Sequence, residues 1–236
     1  MLKRLVVLVL LAPVLVLELA QAGEPAGKLS SEAIIKRTLE GRPGGGKVEA
    51  VTKTPYLGLY EVHMDNMVFY TDEKMNYIFS GDIIDAKSMQ NLTQMIKWEN
   101  LPSNAAVKTV RGNGKRMLAV FSDPNCPFCK RFEKDLAKVD DITIYTFLYP
   151  ILSQDSHDKS RAVWCSADKS KAWSELMLNG TIPAAASCDT PIEKNLELGR
   201  KYRISGTPTL VFANGQRVPG AISQAQLEKL LAENGK

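Results

Sequence analysis

The chain has 236 residues, of which 44% are hydrophobic and 24% are charged, and its formal net charge is +4 at pH 7. This composition is typical of a folded protein, and the length allows one large or two small domains. Positive and negative charges are interspersed rather than gathered into a basic stripe, which argues against a nucleic-acid partner.

The first 22 residues have the three parts of a secretory signal peptide. Lys3 and Arg4 precede an apolar run over residues 5–17, and the segment ends in Ala20-Gln21-Ala22. The apolar run is shorter than the roughly 20 residues that a membrane span needs, and the last three residues match a small-x-small cleavage site. We therefore expect residues 1–22 to be a cleaved signal peptide, with an uncleaved membrane anchor as the alternative.

Residues 23–85 are expected to form a small α+β domain. A helix is predicted over residues 29–39, because Ser30 or Ser31 can cap its start and Gly41-Arg42-Pro43 ends it. Short β-branched and aromatic runs follow and predict an antiparallel sheet. These runs cover residues 48–54, 57–64, 67–71 and 77–79. Such a domain buries little core, so we expect it to pair with a second copy in a homodimer; a monomer with a folded-back N-terminal half is the alternative.

A helix that connects two domains is predicted over residues 88–98, within a linker of residues 86–104. Its apolar residues recur at spacings of three and four, as on one face of an amphipathic helix. They are Met89, Leu92, Met95 and Ile96. A helix at this place would set the separation between the two domains.

From residue 117 onward, strands and helices alternate and predict a second domain over residues 105–236. An apolar strand (117–121) leads into a helix (126–137), a second strand (142–148) and two helical stretches (159–178 and 192–202). An antiparallel pair (209–213 and 217–218) around Asn214-Gly215 and a last helix (224–231) complete the domain. This is the element order of a thioredoxin fold that carries a helical insertion.

Cys126 and Cys129 form a C-x-x-C pair at the junction of the predicted strand and helix. The unpaired N–H groups and the positive dipole end of a helix start stabilise a thiolate, so we expect Cys126 to be an exposed attacking thiolate. Cys129, one turn further in, would be the buried thiol that resolves a mixed disulfide at Cys126. The spacing therefore predicts thiol–disulfide exchange.

A C-x-x-C pair can also belong to a zinc site or form a structural disulfide. A zinc ribbon needs a second closely spaced pair, but Cys165 and Cys188 are far apart, and His63 and His157 lack metal-ligand spacing. We therefore expect no metal and no cofactor. In an oxidising compartment, Cys165 and Cys188 are expected to join as a structural disulfide.

Four segments of the second half carry a specific resemblance to a known family. They are residues 121–129, Ala162-Val163-Trp164-Cys165 with Asp168-Lys169, Ala186-Ser187-Cys188-Asp189 and Ile204-Ser205-Gly206-Thr207-Pro208-Thr209. In these segments the chain resembles the bacterial periplasmic thiol:disulfide isomerases of the DsbC/DsbG family. The resemblance implies an α+β protein with a cystatin-like dimerisation domain, a linker helix and a thioredoxin-like catalytic domain with a helical insertion. It also implies that Thr207 and Pro208 form a cis-proline loop beside the cysteines, where Thr207 backbone groups bind substrate.

The same resemblance implies a periplasmic protein that isomerises or reduces incorrect disulfides in exported proteins. A membrane thiol reductase of the DsbD type would supply its electrons. Isomerases of this family often have Gly-Tyr between the cysteines, whereas this chain has Pro127-Phe128. Proline at the second helical position would remove one N–H that could stabilise the thiolate, so the bias between isomerase, oxidase and reductase stays open. A dimeric holdase chaperone with incidental thiols is the alternative from another functional class.

Overall fold

The computed structural model describes residues 29–65 and 67–234, which form two units, each with its own sheet. The predicted signal peptide lies outside the described residues. None of the helices in the described part of the chain is long and apolar enough to cross a membrane.

The N-terminal unit is one helix packed on a four-stranded antiparallel sheet. The side chain of Ser30 accepts a hydrogen bond from Ala33 N and caps helix α1 (Ser31–Glu40), which buries Ile35 and Leu39 against the sheet. In spatial order, the strands are β1 (Val48–Lys53), β2 (Tyr60–Met64), β3 (Met67–Thr71) and β4 (Ile78–Ser80). Every residue of β4 is exposed, so the sheet ends in an uncovered strand.

The predicted linker helix over residues 88–98 is wrong. In this described stretch the chain forms turns, because the Asp85 carboxylate accepts hydrogen bonds from Lys87 N (3.0 Å) and Ser88 N (2.7 Å). Such local side-chain bonds compete with the backbone ladder of a helix. Ile96 is buried, as an apolar position should be, but it packs into the core of the C-terminal unit.

The C-terminal unit is a five-stranded sheet with helices packed against it. Its strands are β5 (Val107–Arg111), β6 (Arg116–Ser122), β7 (Ile142–Leu148), β8 (Thr209–Phe212) and β9 (Arg217–Pro219). Its α-helices are α2 (Pro127–Leu136), α3 (Gln154–Trp164), α4 (Lys169–Asn179), α5 (Ile192–Lys201) and α6 (Gln224–Asn234). The spatial order is β5-β7-β6-β8-β9, in which β6 and β7 are parallel and the other neighbours are antiparallel. Helices α3 to α5 lie between β7 and β8 in the chain, which confirms the predicted thioredoxin-like domain with a helical insertion.

Strand β6 is the centre of this sheet and is buried on both faces. Leu118 and Val120 pack with α2 and α6, whereas Ala119 and Phe121 belong to a second core on the opposite face. Phe121 stacks on Phe147, with 4.8 Å between the ring centroids. Burial of both faces explains the continuous apolar run of this strand. The C-terminal end of β6, where the chain turns toward α2, is therefore held by two cores.

Two other elements differ from the prediction. Strand β5 is absent from the prediction; it lies at the edge of the sheet and has only one fully buried residue, Val107. The single helical stretch predicted over residues 159–178 is two helices in the structure. The break follows because α3 ends at Trp164 and the Asp168 side chain accepts a hydrogen bond from Lys171 N, which caps a new helix.

Candidate active site

Cys126 is the N-cap residue of α2, after a short turn that leaves β6. Its N–H donates to the Asp123 carbonyl (3.1 Å), and its own carbonyl accepts a hydrogen bond from Lys130 N (3.1 Å). Pro127 is thus the first helical residue, not the second as predicted, and proline at this position removes no helical hydrogen bond. The unpaired N–H groups of the first turn remain available to stabilise negative charge at the N-cap.

The side chain of Cys126 is covered by other parts of the chain. Cys126 is only 4% exposed, so the prediction of an exposed thiol is wrong. Its Sγ donates to the carbonyl oxygen of Thr207, 3.2 Å away and 81 positions later in the chain. Trp173 of α4 belongs to the same buried cluster. The cover comes from distant segments, and nothing in the local C-x-x-C pattern reveals it.

Cys129 is fully buried one helical turn further into α2. Burial raises the pKa of Cys129 to about 12, although the Ser122 hydroxyl, the Asp123 N–H and the Thr207 hydroxyl act in the opposite direction. Ser122 Oγ is buried and has no hydrogen-bond partner among the described residues, so it is available to a Cys129 thiolate. A thiol with this pKa is about one part in 10⁵ ionised at pH 7. Cys129 is therefore a slow nucleophile until its proton is removed.

The loop before β8 lies beside both thiols. The peptide bond between Thr207 and Pro208 is cis, in agreement with the resemblance. Gly220 N donates to the Pro208 carbonyl at 2.8 Å, which joins the loop to the segment after β9. The carbonyl of Thr207 accepts a hydrogen bond from Cys126 Sγ, and the Thr207 hydroxyl acts to lower the pKa of Cys129. The structure thus brings together the residues singled out from the sequence: Cys126, Cys129, Thr207 and Pro208.

The other two cysteines form a disulfide bond. Cys165 and Cys188 have 2.08 Å between their sulfurs and 5.8 Å between their Cα atoms. The bond joins the end of α3 to the irregular segment before α5. Beside it, Trp164 Nε1 donates to the carbonyl of Asp189 at 3.2 Å. Cys126 and Cys129 remain as free thiols.

Comparison with known proteins covers both units. Residues 20–94 match the model of the disulfide bond isomerase protein N-terminal domain, and residues 103–235 match a thioredoxin-like domain. Over 219 residues, the chain is 42% identical to the probable thiol:disulfide interchange protein DsbC of Bordetella pertussis, which covers 90% of this chain and 76% of that protein. The chain belongs to the DsbC family.

Other relatives of this DsbC-family chain support the same family assignment. The thiol:disulfide interchange protein DsbC of Escherichia coli is 27% identical over 215 residues, with 88% of this chain and 90% of that protein covered. The crystal structure of a disulfide interchange protein from Neisseria gonorrhoeae is 42% identical and has a TM-score of 0.56 over 58% of this chain and 99% of that chain. The predicted family is confirmed, and the chemistry of this chain is thiol:disulfide interchange by a thioredoxin-like domain.

In this DsbC-family chain, a buried carboxylate holds the turn that precedes Cys126. Asp123 has no exposed surface, and it accepts hydrogen bonds from Asn125 N (2.8 Å), Ser156 Oγ (2.8 Å) and Leu152 N (3.0 Å). These bonds join the turn to α3 and to the loop after β7. Asp123 was not singled out from the sequence, because two of its partners lie 29 and 33 positions away. The sequence feature that could have indicated it is a charged residue soon after an apolar strand.

Exposed apolar side chains lie near the same turn. Phe128, in the first turn of α2, is 54% exposed, and Leu152, whose N–H is bound to Asp123, is also 54% exposed. Ile151, the neighbour of Leu152, is 38% exposed. Apolar surface next to a reactive thiol suits unfolded segments that expose their own apolar residues.

Proposed function

We propose that this protein isomerises and reduces incorrect disulfides of exported proteins in the periplasm. The position of Cys126 carries the proposal: its Sγ lies at the start of α2 and 3.2 Å from the Thr207 carbonyl, with Cys129 buried one turn further. Membership of the DsbC family supports the same reaction.

The first step is attack of the Cys126 thiolate on a substrate disulfide. A Cys126–substrate disulfide forms, the substrate S–S bond breaks, and one substrate sulfur leaves as a thiolate. A second substrate thiolate can then attack the mixed disulfide, which gives a rearranged substrate and restores Cys126 without net oxidation. Alternatively, Cys129 attacks Cys126; the substrate leaves reduced by two electrons, and Cys126 and Cys129 become a disulfide.

The burial of Cys129 favours rearrangement over reduction. Cys129 must lose a proton before it attacks, and its pKa, raised to about 12, keeps it protonated at neutral pH. The mixed disulfide therefore lives long enough for a substrate thiolate to compete. When Cys129 does react, we propose that a membrane thiol reductase of the DsbD type returns two electrons to the Cys126–Cys129 disulfide.

We also propose that the mature chain is a homodimer that forms through the N-terminal unit. Strand β4 pairs with β3 on one side, and among the described residues no strand covers its other side. Ile78 and Phe79 on this strand are 53% and 49% exposed. A free, apolar edge strand is a ready site for pairing with a second copy. The predicted signal peptide at residues 1–22 and the family support export to the periplasm.

Reactivation of scrambled ribonuclease A by the full mature chain tests the proposal. Cys126→Ala is expected to abolish reactivation, because no mixed disulfide forms. Cys129→Ala is expected to keep part of the reactivation but to lose the reduction of insulin, which needs the second thiol. Full reactivation by Cys126→Ala would instead indicate a holdase with incidental thiols.

A further inference from the structure

Asp123 is a buried carboxylate that has no counter-ion among the residues that the structure describes. Its partners are two N–H groups and one hydroxyl, all donors, which matches a carboxylate that only accepts hydrogen bonds. The Ser156 hydroxyl accepts a bond from Asn125 Nδ2 (3.0 Å), so its own hydrogen is free for Asp123. Within the described chain, no Lys, Arg or His lies within 4.0 Å of the Asp123 carboxylate. Burial of an unpaired charge lowers the free energy of unfolding, so we looked to the nearby thiols for what this carboxylate does.

The carboxylate lies close to the sulfur of Cys126. Its Oδ1 is 2.8 Å from Asn125 N, in the residue directly before Cys126. Standard bond lengths from that nitrogen to the next side chain place the Cys126 sulfur within about 10 Å of the carboxylate. At an effective dielectric constant of about 20, two unit charges at this separation change an ionisation equilibrium by about tenfold.

Two lysines and one aspartate are the other charged groups near this turn. Lys159 of α3 donates to Asp155 Oδ2 (2.6 Å) and to Asn125 Oδ1 (2.9 Å). Lys130 of α2 also interacts with Asp155, which is exposed. Among these groups, Asp123 is the one that is fully buried, and it forms no ion pair with any described residue.

We propose that the Asp123 carboxylate destabilises the Cys126 thiolate and so makes the Cys126–Cys129 pair more reducing. Its repulsion opposes the stabilisation that the start of α2 gives to the same thiolate. A less stable thiolate is a poorer leaving group, so disulfides at Cys126 are favoured over the free dithiol and persist longer. This inference rests on the proposed function: it assigns to Asp123 the bias between isomerase and oxidase that Pro127-Phe128 leaves open.

Asp123→Asn in the full mature chain removes the charge and keeps the shape of the side chain. The absorbance of the reduced protein at 240 nm follows thiolate formation, and the step below pH 10 belongs to Cys126, since burial raises the pKa of Cys129 to about 12. We expect this step to move about one unit toward lower pH in Asp123→Asn. In glutathione buffers, two electrons and two protons pass from the dithiol to glutathione disulfide, and the equilibrium constant for this oxidation should fall about tenfold.

Two controls separate charge from structure. Ser156→Ala removes one hydrogen bond to Asp123 and no charge. Asp158→Asn removes an exposed charge of α3 that accepts a hydrogen bond from Gln154 Nε2. Both should titrate within 0.3 pH units of the wild type. An unshifted Asp123→Asn, or an equal shift in Ser156→Ala, would overturn the inference.

A measurement on the unaltered protein covers the case in which Asp123→Asn does not fold. Because the coupling between two charges is reciprocal, ionisation of Cys126 should shift the ¹³Cγ resonance of Asp123. A resonance that stays constant through the Cys126 titration would contradict the inference. Failure of the proposed function has a different signature, since Cys126→Ala would then reactivate scrambled ribonuclease A whatever the result at Asp123.

Discussion

Replacing both Cys165 and Cys188 by alanine is expected to lower the free energy of unfolding by about 3 kcal/mol. The two residues are 23 positions apart. In the chain-entropy model, a cross-link that closes a loop of this length lowers the conformational entropy of the unfolded chain, which raises its free energy by about 3 kcal/mol. For a unit of about 130 residues, this corresponds to a fall in melting temperature of roughly 10 °C.

Thiol chemistry should survive this double substitution. The hydrogen bond from Trp164 Nε1 to the Asp189 carbonyl involves neither cysteine, so we expect it to keep the segment before α5 in contact with α3. We expect urea unfolding, followed by tryptophan fluorescence, to show the loss of stability while insulin reduction continues below the transition. Cys126→Ala with Cys129→Ala, the matched control, should lose insulin reduction instead. A loss of less than 1 kcal/mol, or an inactive but folded double variant, would refute the structural role of this disulfide.

Three further predictions concern single groups. In Cys126→Ser, alkylation of Cys129 by iodoacetamide should rise about tenfold per pH unit up to pH 10, because burial raises the pKa of Cys129 to about 12; a plateau near pH 9 would contradict this. Ile78→Lys should sediment as a monomer, whereas Leu57→Lys, at a residue that is 95% exposed, should remain a dimer; equal behaviour of the two variants would exclude β4 as the interface. Burial raises the pKa of Glu133, so its contribution to stability is complete below the unfolded pKa and is lost as the pH rises through the folded pKa. Glu133→Gln should therefore flatten the fall in urea stability as the pH rises above 4.5, and an unchanged slope would count against this assignment.

The sequence predicts those parts of the fold that depend on local pattern. The apolar run of β6 and the C-x-x-C pair at its end predict the strand, the helix and the place of Cys126. Strand β7 is predicted with its observed bounds, Ile142–Leu148, because every residue in it is β-branched, aromatic or leucine. A central strand that is buried on both faces has a run of apolar and β-branched residues along its whole length, and this run is recognisable in the sequence.

Features that depend on distant contacts are not predictable from the sequence. A local bond can also override a pattern. Residues 88–98 have helical spacing, but the Asp85 carboxylate accepts hydrogen bonds from Lys87 N and Ser88 N, so the chain forms a turn there and not a helix. Cys126 has the pattern of an exposed N-cap, yet its cover comes from the loop at Thr207. Asp123 gains its partners from Leu152 and Ser156, which the fold alone brings to it. For Cys126 and Asp123, the deciding interaction joins positions that no local pattern relates.

Thr207 meets the two thiols with two different kinds of atom. Cys126 donates to the main-chain carbonyl of Thr207, which any residue at this position would supply, whereas only a hydroxyl-bearing side chain would lower the pKa of Cys129 in the same way. Substitution at position 207 can therefore change the rate at which Cys129 releases a substrate from its mixed disulfide with Cys126. The main-chain hydrogen bond to Cys126 would stay in place. Capture of a substrate by Cys126 would then depend on the backbone of residue 207 and its release by Cys129 on the side chain, so the two steps could evolve separately.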